Sequence, residues 1–159
     1  MQIEWEPKVQ EKVAAFILRT QAQGCIELLV HSFADAPSIP SRVPGGGVDS
    51  EETPEQAVYR EVFEETGLAQ IQLVRKLGVQ QYYKRYLQAD VERHDFLFRI
   101  PTVTLDTWEY QVRGEGADAG ETYQYHWVTA DQLNDIDIDE EYRRFITPDY
   151  LPEMFGIAH

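Results

Sequence analysis

The segment Lys12–Leu18 is apolar at every position after Lys12, and apolar residues return over Ile26–Val30, where Glu27 alone interrupts them. Short apolar runs bounded by polar turns predict strands, and the polar stretch Thr20–Gly24 predicts the turn between these two. The Pro-, Ser-, Ala- and Asp-rich segment Ser32–Ser41 predicts a loop. A helical period over Thr53–Thr66 predicts a helix. Further strands are predicted at Gln72–Gln81, Asp95–Ile100, Thr107–Arg113 and Tyr123–Val128, with short helices at Thr129–Leu133 and Glu140–Phe145. Many strands with few helices predict an α/β (α+β) class built on a mixed sheet. No repeat, low-complexity tract or linker divides the chain, so residues 1–159 are expected to form a single domain.

The helix is bounded by its own sequence. Thr53 suits the N-cap, Pro54 the first helical position, Gln56 completes a capping box, and Gly67 stands where a C-terminal cap belongs. At about 100° per residue, Glu61, Glu64 and Glu65 share one arc while Tyr59, Val62 and Phe63 take the opposite one. One side is therefore expected to face the core and the other to present three carboxylates. A solvated helix face normally alternates charge sign over four residues. Here only Glu64 has a basic residue at that spacing, Arg60. Three crowded acids repel, and hard divalent cations turn that repulsion into binding because they prefer carboxylate oxygens. The run Gly45–Gly46–Gly47 lets main chain approach a ligand closely, and beside the acidic helix it becomes a loop able to offer carbonyls to a metal.

Charge and cysteine usage narrow the functions. Fourteen Lys and Arg stand against twenty-eight Asp and Glu, a net charge of −14. That balance disfavours duplex nucleic acid and anionic lipid as partners, while leaving room for a phosphorylated ligand that arrives with divalent cations. The single cysteine, Cys25, excludes an internal disulfide framework, a Cys-based zinc cage and an iron–sulfur cluster. Met1–Lys8 lacks the pattern of a signal peptide, and no apolar stretch is long enough to span a bilayer. A cytoplasmic protein without membrane contact is expected.

The order Gly46, Glu52, Arg60, Glu61, Val62, Glu64, Glu65, Gly67 and Leu68 resembles the signature box of the Nudix hydrolases, at every position and over the 23 residues 46–68. Pro44–Gly45 resembles the lead-in to that box. The resemblance implies an α/β/α sandwich with a central mixed sheet, and Mg²⁺-dependent hydrolysis of a nucleoside diphosphate linked to another moiety, with Mn²⁺ as a substitute ion. It implies metal ligation by Glu61, Glu65 and the Gly45 carbonyl, with Glu64 holding or sharing a further ion and Glu52 supporting those ligands from behind or reaching the metal through water. Arg60 is implied to orient the glutamates through its pair with Glu64. Gly46 and Gly47 are candidates for backbone contact with substrate. An acid outside the box is also implied as general base or extra ligand. Glu121, six residues before Trp127, is the first candidate, and Glu115 in the Gly-rich stretch is the second.

The cluster Tyr82–Tyr83–Lys84–Arg85–Tyr86 has two readings. Tyr83 and Arg85 can stack a base and hold phosphate, or the segment is an ordinary strand pair with a charged hairpin tip. Asp135, Asp137 and Asp139 alternate as in a calcium loop, but Glu140 replaces the required glycine, which excludes that reading. The alternative function is a Nudix-fold sensor that binds nucleotides without cleaving them. Isoprenoid diphosphate isomerisation requires a cysteine motif that Cys25 does not supply. The substrate and the phosphorus attacked stay open, and the family resemblance allows a homodimer.

Overall fold

The structure of the chain, a computed structural model, describes residues 9–101 and 104–156. Met1–Lys8 and His159 lie outside the described residues. Seven strands form one mixed sheet: β1 (Val9–Thr20), β2 (Ile26–Phe33), β3 (Gly45–Gly47), β4 (Gln72–Lys84), β5 (Ala89–Arg99), β6 (Thr107–Gln111) and β7 (Thr122–Thr129). The order is β4-β5-β1-β2-β7-β6, with β3 attached to β1. β1 runs parallel to β5, and every other pairing is antiparallel.

The continuous apolar run in β1 is explained by cover on both faces. Val13, Ala15 and Ile17 pack with Phe96 and Phe98 under helix α1 (Pro54–Thr66), against Ala57, Val58 and Val62. Ala14, Phe16 and Leu18 face the other way, into a layer with Leu133, Ile138, Ile146, Leu151 and Met154. That second layer contains the 3-10 turn Ala130–Asp135 and the short helix α2 (Glu140–Arg143). The result is the three-layer sandwich expected from the sequence. Among the described residues, no helix is long and apolar enough to cross a membrane.

Two elements differ from the sequence reading. Gly45–Gly47, expected as a loop, pairs as a three-residue strand with Lys12–Ala14, and Ala15 donates to the Pro44 carbonyl at 2.8 Å. Side-chain-free backbone can enter the sheet there because its hydrogen bonds are satisfied by β1. β5 begins six residues earlier than Asp95, since its early residues complete a ladder with both β1 and β4. The register then shapes the site. β1 pairs β2 only at its C-terminal end, Leu18–Thr20 with Ile26–Leu28, and pairs β3 further back. β1 and β2 therefore part around the glycine strand, and a cleft opens between them.

Candidate active site

The N-terminus of α1 is set as the sequence predicts. The Thr53 hydroxyl accepts from the Gln56 amide, the Gln56 side chain accepts from the Thr53 amide, and Pro54 opens the helix. At the C-terminus, Gly67 takes φ 78°, where a residue with a Cβ is strained. All four final carbonyls find donors: Gly67 N–H to Phe63, Arg113 N–H to Glu64, the Tyr125 hydroxyl to Glu65 and the Trp108 indole to Thr66. Helix ends leave these groups unpaired, so β6, β7 and the loop between them fix the turn that carries Glu64 and Glu65.

The orientation of the helix departs from the expected one. Val62 is buried with Ala57 and Val58, but Tyr59 and Phe63 are exposed, at 39% and 48%. Glu61 and Glu65 take the buried side instead. They face the glycine strand, which supplies both room and a donor: Gly45 N–H reaches Glu65 Oε1 at 3.0 Å. The three carboxylates are thus not one solvated face.

Arg60 organises the acids. Its guanidinium donates to Glu52, to Glu61 Oε1 at 3.0 Å, to Glu64 Oε2 at 3.2 Å and to the Gly47 carbonyl at 2.9 Å. The expected pair with Glu64 is present, and Glu52 is engaged by Arg60 and by the Asp49 amide. The Arg60 hydrogen bond holds the Glu52 carboxyl below its usual range and raises that of the guanidinium. Burial dominates at the other two sites. It pushes Glu61 up to about 7 against the pull of Arg60, and raises Glu65 well above its ordinary value, with Asp118 adding to the effect.

Asp118 is the acid that sequence reasoning missed. It lies close enough to Glu65 for its charge to raise that carboxyl further, and it accepts from the Tyr123 hydroxyl at 3.0 Å. Its only signal in the sequence was membership of the loop that also holds Glu115 and Glu121. The cleft, of about 510 Å³, is lined by Gly46, Gly47, Glu61, Asp118 and Glu121, with Phe33, Ile39, Tyr86 and Tyr123 as apolar walls and Lys12 and Arg42 as cations. Glu115 is not part of that lining. Tyr83 and Arg85 are not part of it either. Tyr83 borders a separate depression beside Val9 and Asp90, while Lys84 lines the space behind the glycine strand and the exposed Tyr86 borders the cleft. Strand alternation separates Tyr83 from Lys84, because neighbouring side chains leave opposite faces, whereas Arg85 and Tyr86 lie in the turn beyond the strand. The hairpin reading of this segment agrees with β4, the 3-10 turn Arg85–Leu87 and β5.

Cys25 is exposed. Asp139 serves as the N-cap of α2, donor to which is the Glu141 amide at 3.0 Å.

The buried pair Glu61 and Glu65 fits a divalent cation. Desolvated acids that retain protons are stabilised when a cation replaces those protons, and a Cβ on Gly46 would fill the space at the Glu61 carboxylate. A second set of ligand types, Glu11, Glu92 and His94, lies with its atoms within 4.8 Å of one another on β1 and β5. There the Lys76 ammonium stands 2.8 Å from His94 Nδ1. An ammonium only donates, so a neutral ring held in this way carries its proton on Nε2, the atom an ion would need.

Comparison with known proteins is consistent with this geometry. The family model of the NUDIX domain matches residues 9–148. The chain belongs to the NUDIX domain family. The RNA pyrophosphohydrolase of Blochmanniella pennsylvanica is 56% identical over 43 residues, 27% of this chain and 27% of that protein. The chain thus matches about a quarter of the length of that curated relative. Among solved structures, the Nudix domain of Shewanella oneidensis NrtR complexed with ADP ribose superposes with a TM-score of 0.65 at 16% identity, covering 94% of this chain and 90% of that one. A C. elegans Ap4A hydrolase binary complex gives 0.63 at 20% identity, with 92% and 95% covered. These Nudix neighbours share the fold, a mixed sheet with few helices.

Proposed function

We propose that this Nudix chain is a divalent-metal-dependent pyrophosphohydrolase acting on a nucleotide-type substrate. The observation that carries the reading is the buried pair Glu61 and Glu65, desolvated opposite a glycine strand, with Glu61 lining a cleft that has cationic and aromatic walls. Glu61, Glu65 and the Gly45 carbonyl would hold the ion, with Glu64 and Asp118 at its edge. Mg²⁺ is the expected ion and Mn²⁺ its substitute. Bound there, the cation supplies neutralisation of diphosphate charge and a more acidic water.

The chain's own residues do the rest. Arg60 ties Glu52, Glu61 and Glu64 to the Gly47 carbonyl and so fixes the spacing of the acids against the glycine strand. Glu121 borders the cleft without a side-chain hydrogen bond to another described residue, and in this reading it accepts the proton of the attacking water. Phe33, Ile39 and Tyr86 offer apolar surface for a base, and backbone at Gly46 and Gly47 lies close to the phosphates.

The molecules in the names of the similar proteins, RNA, ADP ribose and Ap4A, mark the range to screen. Turnover of a panel of nucleoside-diphosphate derivatives with Mg²⁺ tests the reading. Glu65→Gln should lower kcat by about a hundredfold or more, with the fold retained. Wild-type binding without product release across the panel would instead establish a nucleotide sensor.

A further inference from the structure

Behind Gly45 and Gly46 the cleft continues into an inner cavity of about 90 Å³. Its walls bring together Lys12 from β1, Arg42 from the loop before β3, Lys84 from the end of β4 and Arg93 from β5, with the acids Glu65 and Glu141. In a chain with twice as many acids as bases, four cations against two acids is a local reversal of sign. Three of the cations have local counter-charges: Lys84 lies 3.3 Å from Glu141, Arg42 lies 3.5 Å from Asp139, and Arg93 lies 2.7 Å from Asp95. Lys12 has no ion pair among the described residues. Burial, then the charges of Lys84 and Arg42, lower its pKa.

The cavity also holds unmet hydrogen-bonding capacity. His31 Nδ1 is buried without a hydrogen-bond partner, and its side chain lines this cavity. His31 is only 2% exposed, with its ring stacked on Tyr123 at 4.0 Å. An orphaned polar atom at this depth is costly unless something fills the site. A lysine without an ion pair beside an orphaned polar atom calls for an oxyanion. The cavity is far smaller than the outer cleft of about 510 Å³, and a compact group such as a phosphoryl suits it better than a nucleoside.

We propose that this inner cavity receives the terminal phosphoryl group of the substrate, so that the site prefers nucleotides whose phosphate chain ends free over those closed at both ends by a sugar or a second nucleoside. The proposal rests on the hydrolase reading above for the position of the scissile diphosphate, beside Glu61 and Glu65. The base then lies outward against Phe33 and Tyr86, and the free end of the chain points inward to Lys12.

Two measurements test it. In the first, kcat/KM is compared for a nucleoside triphosphate, a short 5′-triphosphorylated RNA and ADP-ribose, with Mg²⁺, in wild type, Lys12→Met and Lys84→Met. Wild type should favour the two substrates with a free phosphate end, and the better of them identifies the source. Each variant should lose about tenfold or more on those two, mainly through KM, and less on ADP-ribose. Equal losses on all three substrates, or no loss, would overturn the proposal. In the second, inorganic tripolyphosphate is titrated calorimetrically into metal-free protein. Wild type should bind it, and Lys12→Met should bind about tenfold more weakly. Lys12-dependent tripolyphosphate binding without hydrolysis of any nucleotide would retain the pocket and defeat the hydrolase reading. ADP-ribose turnover without tripolyphosphate binding would do the reverse.

Discussion

A Cβ placed on Gly46 would stand 2.4 Å from the carboxyl group of Glu61. Glycine here is a steric requirement of the acid opposite. Because the atom it would strike is the end of a flexible side chain, Gly46→Ala should fold and melt within about 1 kcal/mol of wild type. It should nevertheless lose most of its turnover, since Glu61 must swing out of the site. Melting curves beside kcat values check both halves, and a fully active Gly46→Ala would show that the Glu61 position is dispensable.

The Tyr125 hydroxyl donates to the Glu65 carbonyl at 2.8 Å from within the core. Tyr125→Phe removes that bond and leaves a buried carbonyl at the end of α1, a cost of about 1–3 kcal/mol in urea unfolding. If the bond also holds Glu65 in register, kcat should fall with KM little changed. Unfolding unaltered by the substitution would mean that the carbonyl finds another donor.

Acid should destabilise the protein through His31. Burial depresses its pKa to about 3, below the 6.5 of an unfolded chain. Between those values the unfolded state binds a proton that the native state does not, so this contribution is complete above pH 6.5 and is lost as pH falls. The slope approaches about 1.4 kcal/mol per pH unit. His31→Phe should therefore lose less stability than wild type between pH 6.5 and 4.5, measured by urea unfolding. Parallel losses would contradict the assignment.

Metal should act in the opposite direction on the box acids. In metal-free protein the raised Glu61 and Glu65 pKa values mean that stability falls as pH rises from about 4.5 towards 7, where unfolded carboxylates ionise and the buried ones resist. Adding Mg²⁺ or Mn²⁺ near pH 6.5 should raise Tm and release protons. Calorimetry in two buffers of different ionisation enthalpy reads the protons directly, and buffer-independent heats would argue against ligation by these residues.

Within the site, legibility followed distance along the chain. Thr53, Gln56, Pro54 and Gly67 act on neighbours within a turn of helix, and each took its expected place. The Arg60–Glu64 pair, four residues apart, was equally readable. The direction the helix faces was not, because Tyr59 and Phe63 are as apolar as Val62 and only packing on the sheet selects between them. Tyr83 and Arg85 were read from composition. Strand alternation separates Tyr83 from Lys84, which lines the inner cavity, and the register that fixes this parity depends on pairing with β5.

By itself the sequence determined the helix, its caps, the acids it carries, the mixed-sheet class and membership of the Nudix signature, all of which follow from periodicity and spacing within some twenty residues. Tertiary structure alone decided that Glu61 and Glu65 are buried, that Asp118 joins them from a loop more than fifty residues away, and that Lys12, Arg42 and Lys84 meet behind the glycine strand. The reason is physical. Local backbone preferences are settled by nearest neighbours, whereas burial and convergence depend on which distant segments the shared core draws together.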